Sequence, residues 1–363
     1  MAPIGPIALF GSGETAPSAH RIHQRVMKRL HAPVRVAIIE TPAGFEPNSH
    51  GVAAAVGRYL EHRLQNFRPQ IEIVPARKRN TEYSPDDPLI AAPILQADYL
   101  FMGPGSPSYA VRQLHNSVTW HNMLARHRLG AAICFSSATT IALSRFALPV
   151  YEIYKVGEEP HWKPGLDFFG SFGLSLVVIP HWNNHDGGEE LDTSHCYMGE
   201  GRYRALAAML PADVTILGID ENTGVVILPE EGACEITGPG GAVIVRNGVE
   251  ERLQSRQTFA ATLLGDWRLP EPAAGIPAQV WAAALHAQEQ RGAQPVDALP
   301  TAALPTAAPP EVAALAQERE NARQQRDWNA ADRLRDQVLA LGWSIVDTRE
   351  GPRLSPVEPQ DQE

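Results

Sequence analysis

The sequence predicts an α/β fold, a doubly wound and mostly parallel sheet followed by a small helical pair at the C-terminal end. Short apolar runs alternate with longer segments of helical period from the start of the chain, as expected of strands joined by crossover helices. Glycine-rich or polar loops stand directly after several of these runs, where open α/β sheets place their ligands. The composition then breaks: residues 270–310 contain 8 prolines and 13 alanines, the make-up of a linker.

Strands are predicted at 7–10, 35–39, 71–74, 99–102, 131–135, 176–179 and 214–217, with helices at 18–30, 51–64, 88–96 and 109–127. In the second helix Val52, Val56, Tyr59, Leu60 and Leu64 recur near spacings of three and four, so one face can pack on the sheet. After Leu217 the run GVVILPEEGACEITGPGGAVIVRNG alternates around Gly-rich turns and predicts antiparallel strands. The expected organisation is an α/β domain at 1–268, a Pro/Ala-rich linker at 269–310 with a short helix near 280–289, and a helical tail at 311–363. In the tail Pro310 suits a first helical turn and Gly342 a C-terminal cap. Val312, Leu315, Trp328, Leu334, Val338 and Leu341 are the expected seam between the two helices.

Composition bounds the function. The chain has 363 residues with 44% hydrophobic and 20% charged, which excludes a rod, a collagen or a wholly disordered protein. The net charge of −10 argues against a general polyanion-binding surface. Cys134, Cys196 and Cys234 are too scattered for a disulfide framework or a CxxC metal site, which points to a reducing compartment. The first residues lack a basic stretch ahead of an apolar one, and no run approaches the ~18 apolar residues of a membrane helix, so a cytoplasmic protein is expected.

Four segments after strands carry candidate chemistry. Gly11-Ser12-Gly13-Glu14 is a tight turn that lacks the third glycine of a dinucleotide fingerprint and the GK[ST] of a P-loop. Gly103-Pro104-Gly105-Ser106-Pro107 can aim backbone N–H groups above the sheet, as an oxyanion hole requires, or serve as a plain turn. Cys134-Phe135-Ser136-Ser137-Ala138 joins a strand to a helix. With Cys134 and Ala138 two residues to either side, Ser136 has the steric room of a nucleophile elbow, although a helix cap is the simpler role. Cys134 is the rival nucleophile. Pro180-His181-Trp182-Asn183-Asn184-His185-Asp186 offers His181 as a general base; His181 and His185, with Asp186, His195 or Cys196, offer metal ligation instead.

Together these segments resemble the S51 peptidase family, aspartyl dipeptidases and cyanophycinases with a class I glutamine-amidotransferase-like fold, over about residues 5–265. GSGE and GPGSP resemble the family's two glycine-rich loops, FSSAT its serine elbow, IPHWNN its histidine segment, GEGRYRAL the Arg-containing helix that follows, and LGIDENTGVVI its later strand pair. The resemblance implies Ser136 as nucleophile, His181 as base and the amides of Gly105 and Ser137 as oxyanion hole. It places an acid between them, Glu158 in KVGEEPHW, with Glu152 and Glu159 as alternatives. Gly13, Glu14, Asn183, Arg202 and Arg204 are the implied substrate contacts, the arginines as partners of a substrate carboxylate.

The implied activity is serine-type hydrolysis of peptide or isopeptide bonds next to aspartyl residues, with no cofactor or metal and a small peptide or amino-acid-derived substrate. A binding or regulatory protein without turnover, with a tail for partner or RNA contact, is the alternative, and a homo-oligomer is allowed. Residues 313–353 also resemble the C-terminal end of cysteinyl-tRNA synthetases, in a region that belongs to their tRNA-binding part. Arg319, Arg323 and Arg326 form a stripe that can meet phosphates. Against this, residues 311–363 hold 7 Arg and 11 Asp or Glu, a net charge of −4, which favours a solvated or partner-binding pair.

Overall fold

The first apolar runs form a parallel sheet. In chain order, β1 (Ile7–Phe10), α1 (Ala19–Met27), β2 (Arg35–Ile39), α2 (Ser49–Arg63), β3 (Gln70–Val74), α3 (Pro88–Ala91), β4 (Tyr99–Met102), α4 (Pro107–Leu114), α5 (Val118–Arg128) and β5 (Ala132–Ser136) give the strand order β1-β5-β4-β2-β3. β1, β4 and β5 are buried along their whole length, which explains why they read as continuous apolar runs rather than alternating ones. α1 turns Ala19, Ile22, His23 and Val26 inward, at the spacing one helix face requires.

This computed structural model describes residues 3–293, 310–324, 331, 334, 337, 338, 343–348 and 351–356. The chain divides into two units, Met1–Ala293 and Gln294–Glu363.

Two expected helices are broken. The segment 109–127 is split because Asn116 is left-handed (φ 58°) and the Ser117 hydroxyl accepts from the Trp120 N–H, starting a new helix. The segment 88–96 opens as α3 and tightens into a 3₁₀ turn at Ala92–Gln96, with Pro93 in its first turn.

Beyond β5 come α6 (Ala138–Ala142), the paired β6 (Phe146–Ala147) and β7 (Lys163–Pro164), β8 (Leu176–Ile179), the turn-like α7 (Ser194–Tyr197), α8 (Gly199–Ala208) and β9 (Thr215–Ile219). The antiparallel strands expected after Leu217 are β10 (Gly224–Leu228), β11 (Ala233–Thr237), β12 (Ala242–Arg246), β13 (Val249–Leu253) and β14 (Thr258–Ala260). β10, β11 and β14 extend the parallel sheet beyond β1, while β13-β12-β9-β8 is a second sheet in which β8 and β9 run parallel.

The expected boundary at 268 falls inside the first unit. α9 (Ala278–Ala293) packs Val280 and Ala284, with Ile276 just before it, on Ala125 of α5 and on Leu129, which caps that helix. Arg126 donates to Gln288, and Arg291 pairs with Asp98. An alanine-rich stretch is therefore a docked helix here, because alanine allows close helix contact as well as linker flexibility.

In the second unit, α10 (Pro310–Gln324) buries Ala316, Arg319 and Ala322, and Ala331 and Val338 are also buried in helical backbone. The expectation of helices alone needs correction. β15 (Trp343–Thr348) and β16 (Gly351–Pro356) form an antiparallel hairpin in register from Trp343↔Pro356 to Thr348↔Gly351. Ile345, Val346 and Thr348 carry the β-branched preference that helical reading of this end overlooked. Trp328, Leu341, Arg326 and the side chains of Val312 and Arg323 lie outside the described residues. Among the described residues no helix is long and apolar enough to cross a membrane.

Candidate active site

β5 ends at the fully buried Ser136, and the chain turns at Ser137 before α6 begins. Ser137 has φ 52° and ψ −110°, a conformation that costs a non-glycine residue about 1–3 kcal/mol and persists only where surroundings hold it. They do so here: the Ser137 N–H donates to the Phe10 carbonyl at 3.3 Å, the Thr140 hydroxyl donates to the same carbonyl at 3.1 Å, and the Ser136 N–H donates to the Thr139 hydroxyl at 3.0 Å. This strand-to-helix turn has the geometry of a nucleophile elbow, with Ser137 at its apex. Ser137 Oγ lies 2.9 Å from His181 Nε2. Ser136, the expected nucleophile, points elsewhere and donates its hydroxyl to Glu14 Oε2 at 2.8 Å. The reason is alternation: adjacent residues at a strand end face opposite ways, so a one-residue offset exchanges a site residue for a packing one.

The partners of Ser137 come from the second sheet. β8 and β9 are parallel neighbours with Ile179 opposite Gly218, so the segments that follow them leave the same edge side by side. His181 Nδ1 lies 2.9 Å from Glu221 Oε1. An ionised Glu221 can only accept, so Nδ1 carries the proton and Nε2 is left as acceptor for the Ser137 hydroxyl. Asn184 donates to the same Oε1 at 2.9 Å, and the Glu221 N–H donates to Asn183 Oδ1 at 2.8 Å. The His181 hydrogen bond holds the Glu221 carboxyl below its ordinary pKa, against the opposing effect of partial burial. Gly218 permits this arrangement, since a Cβ there would stand 2.2 Å from the Trp182 ring beside His181.

The expected acid is displaced accordingly. Glu158 is exposed with His161 Nε2 at 3.6 Å, Glu152 pairs with Lys163 at 2.7 Å, and the Glu159 carbonyl accepts from His161. None of the three meets His181. Glu221 lies within LGIDENTGVVI and follows the histidine in the chain, outside the interval between serine and histidine where the resemblance places the acid.

Gly105 has φ 147°, and a Cβ there would stand 2.0 Å from the Pro42 carbonyl, so glycine is required for this loop to pack against the Pro42 backbone. Gly105, Ser137, Ala138 and His181 line a cavity of about 380 Å³. Among the described residues the Gly105 and Ala138 N–H groups donate no hydrogen bond, which leaves them for an oxyanion. The Ser137 amide, expected in that role, is engaged by Phe10.

The remaining expected contacts shape the site from outside the cavity. Gly13 (φ 69°) closes a loop on Asn222, Glu14 anchors Ser136, and Asn183 holds the Glu221 backbone. Arg202 donates to the carbonyls of Met198 and Tyr197, and Arg204, mostly exposed, pairs with Glu200. The cavity is walled instead by Tyr151, Tyr154, Lys155 and Tyr197, with Asp186 accepting from the Tyr197 hydroxyl at 2.6 Å. That bond lowers the Asp186 pKa, and burial, first, together with Asp186 raises that of the Tyr197 phenol. The rival Cys134 is buried and its thiol is pushed up to about 12 by burial, which leaves no thiolate for attack. Among the described residues no group of three or more His, Cys, Asp or Glu is placed to hold a metal.

Comparison with known proteins gives two separate matches. A solved structure, a peptidase from an acI-B1 actinobacterium, matches with a TM-score of 0.57 and 21% identity over 71% of this chain and 97% of that one. The doubly wound, class I glutamine-amidotransferase-like fold expected of the sequence is the fold of the protein. Residues 306–351 match the family described as cysteinyl-tRNA ligase anticodon binding domain. Curated relatives include the cysteine–tRNA ligases of Methanosarcina mazei, 42% identical over 48 residues (13% of this chain, 10% of the ligase), and of Chlamydia caviae, 51% identical over 43 residues (12% and 9%). The chain thus spans about a tenth of the length of the curated relatives it matches.

Proposed function

We propose that the protein is a serine-type hydrolase of peptide or isopeptide bonds next to aspartyl residues. The observation that carries this reading is the continuous chain from Ser137 Oγ through the His181 ring to Glu221, with both contacts at 2.9 Å. Ser137 attacks the substrate carbonyl as His181 Nε2 takes its proton, and Glu221 stabilises the imidazolium. The oxyanion of the tetrahedral intermediate meets the Gly105 and Ala138 N–H groups. His181 then protonates the leaving amine, and water attacks the acyl-enzyme with His181 again as base. The fold shared with a peptidase supports the reaction class. Incubating the full chain with α- and β-aspartyl dipeptides tests it: amine release that falls about 10⁴-fold or more in Ser137→Ala is expected. Binding without release, or release that survives in the variant, contradicts it and favours the alternative of a binding protein.

A second reading concerns the tail. The match of residues 306–351 supports a contact with RNA, although Arg319, one of the expected phosphate-facing stripe, is buried in its own unit. Salt-sensitive retention of a tRNA by the full chain, lost on removal of residues 306–363, is the expected result. Equal retention by both forms counts against it.

A further inference from the structure

We infer that Lys155 supplies the positive charge that recognises the substrate's aspartyl carboxylate, an inference that rests on the hydrolase reading for the identity of that substrate. The arginines in the best position by sequence do not line the cavity: Arg204 pairs with Glu200, and Arg202, 5.8 Å from the centroid of the Tyr154 ring, is tied by two donations to backbone carbonyls. Lys155 lines the cavity that holds Ser137 and His181. Among the described residues its ammonium makes no ion pair; it lies 4.9 Å from the centroid of the Tyr154 ring. A cation held over an aromatic face keeps its charge and its direction without a competing anion.

The local backbone explains why two consecutive side chains serve one cavity. Residues Glu152–Val156 form a π-helical turn, wider than an α-helix, closed by the left-handed Gly157 (φ 85°) and tied down by the Lys163–Glu152 ion pair at 2.7 Å. Tyr154 and Lys155 therefore both reach the lining. From there the wall is continuous to the reacting groups, since the Tyr154 ring lies 5.2 Å from that of Tyr197, which lies 6.1 Å from that of His181. A substrate seated at Ser137 thus meets an aromatic wall whose cavity-lining end carries the Lys155 ammonium.

The test measures binding without turnover. Calorimetric titration of the full-length Ser137→Ala protein with Asp-Leu and with Asn-Leu compares a carboxylate with its neutral isostere. The Asp dipeptide is expected to bind at least about tenfold more tightly, as one charge-assisted contact allows. Adding Lys155→Met is expected to equalise the two, and Lys155→Arg to restore the preference. Absence of preference in the parent, preference unchanged in Lys155→Met, or equal weakening of both dipeptides would overturn the assignment. The hydrolase reading is checked separately by phosphonate labelling of Ser137 in the wild type, so a labelled serine with no Lys155-dependent preference condemns the inference alone.

Discussion

The strand-end loops that carry Ser137, His181 and Glu221 and the π-helical turn that carries Tyr154 and Lys155 border one cavity but are built differently. The first are fixed by sheets: β5 is buried throughout, and the pairing of β8 with β9 brings His181 and Glu221 to the same edge. The second lies at the surface, with Val156 73% accessible, and is anchored by the buried Ile153 and the Lys163–Glu152 pair rather than by strand pairing. On the proposed reading, chemistry that needs distances fixed to fractions of an ångström would sit on hydrogen-bonded register, and substrate selection on a surface turn anchored by one buried side chain.

The sharpest way to break this contrast is to change one carboxylate in each region. Glu221→Gln is expected to lower kcat about 10²–10⁴-fold with little change in KM, because the imidazolium loses its stabilising charge and an amide N–H facing Nδ1 imposes the wrong tautomer. Glu158→Gln is expected to leave kcat unaltered, and comparable losses in steady-state kinetics would erase the distinction. A smaller effect separates the adjacent serines. Ser136→Ala removes the bond to Glu14, which costs about 1 kcal/mol of stability in a denaturant titration and less than about tenfold in kcat/KM. The smallest effect is pH-dependent. Because the folded state lowers the Glu221 pKa, its contribution to stability is present above the ordinary carboxylate range and fades as pH falls through the lowered value. Glu221 is partly exposed, so Glu221→Gln should flatten the acid limb of the stability profile by about 1 kcal/mol or less.

Most of the parallel sheet was legible because buried strands read as apolar runs of fixed length, and β1, β2 and β4 stand at the expected residues. The histidine was legible because it directly follows such a run. The hydroxyl that meets His181 stands one residue beyond the expected Ser136: small neighbours flank both serines, and only the backbone turn at Ser137 decides which hydroxyl faces the imidazole. The carboxylate that meets His181 is Glu221 rather than the expected Glu158, because proximity to His181 arises from pairing of β8 with β9, a relation that distance along the chain does not express. Lys155 carried no signal, since its place depends on a π-helical turn without a marked sequence pattern. The hairpin 343–356 was obscured by the strong helical period just before it.

The central claim is that Ser137, and not Ser136, is the activated hydroxyl. Labelling the full chain with a serine-directed phosphonate, then locating the adduct by peptide fragmentation in wild type, Ser136→Ala and Ser137→Ala, tests it most directly. An adduct on Ser137 that persists in Ser136→Ala and vanishes in Ser137→Ala is expected. An adduct on Ser136, or none under conditions that modify a known serine hydrolase, would contradict it.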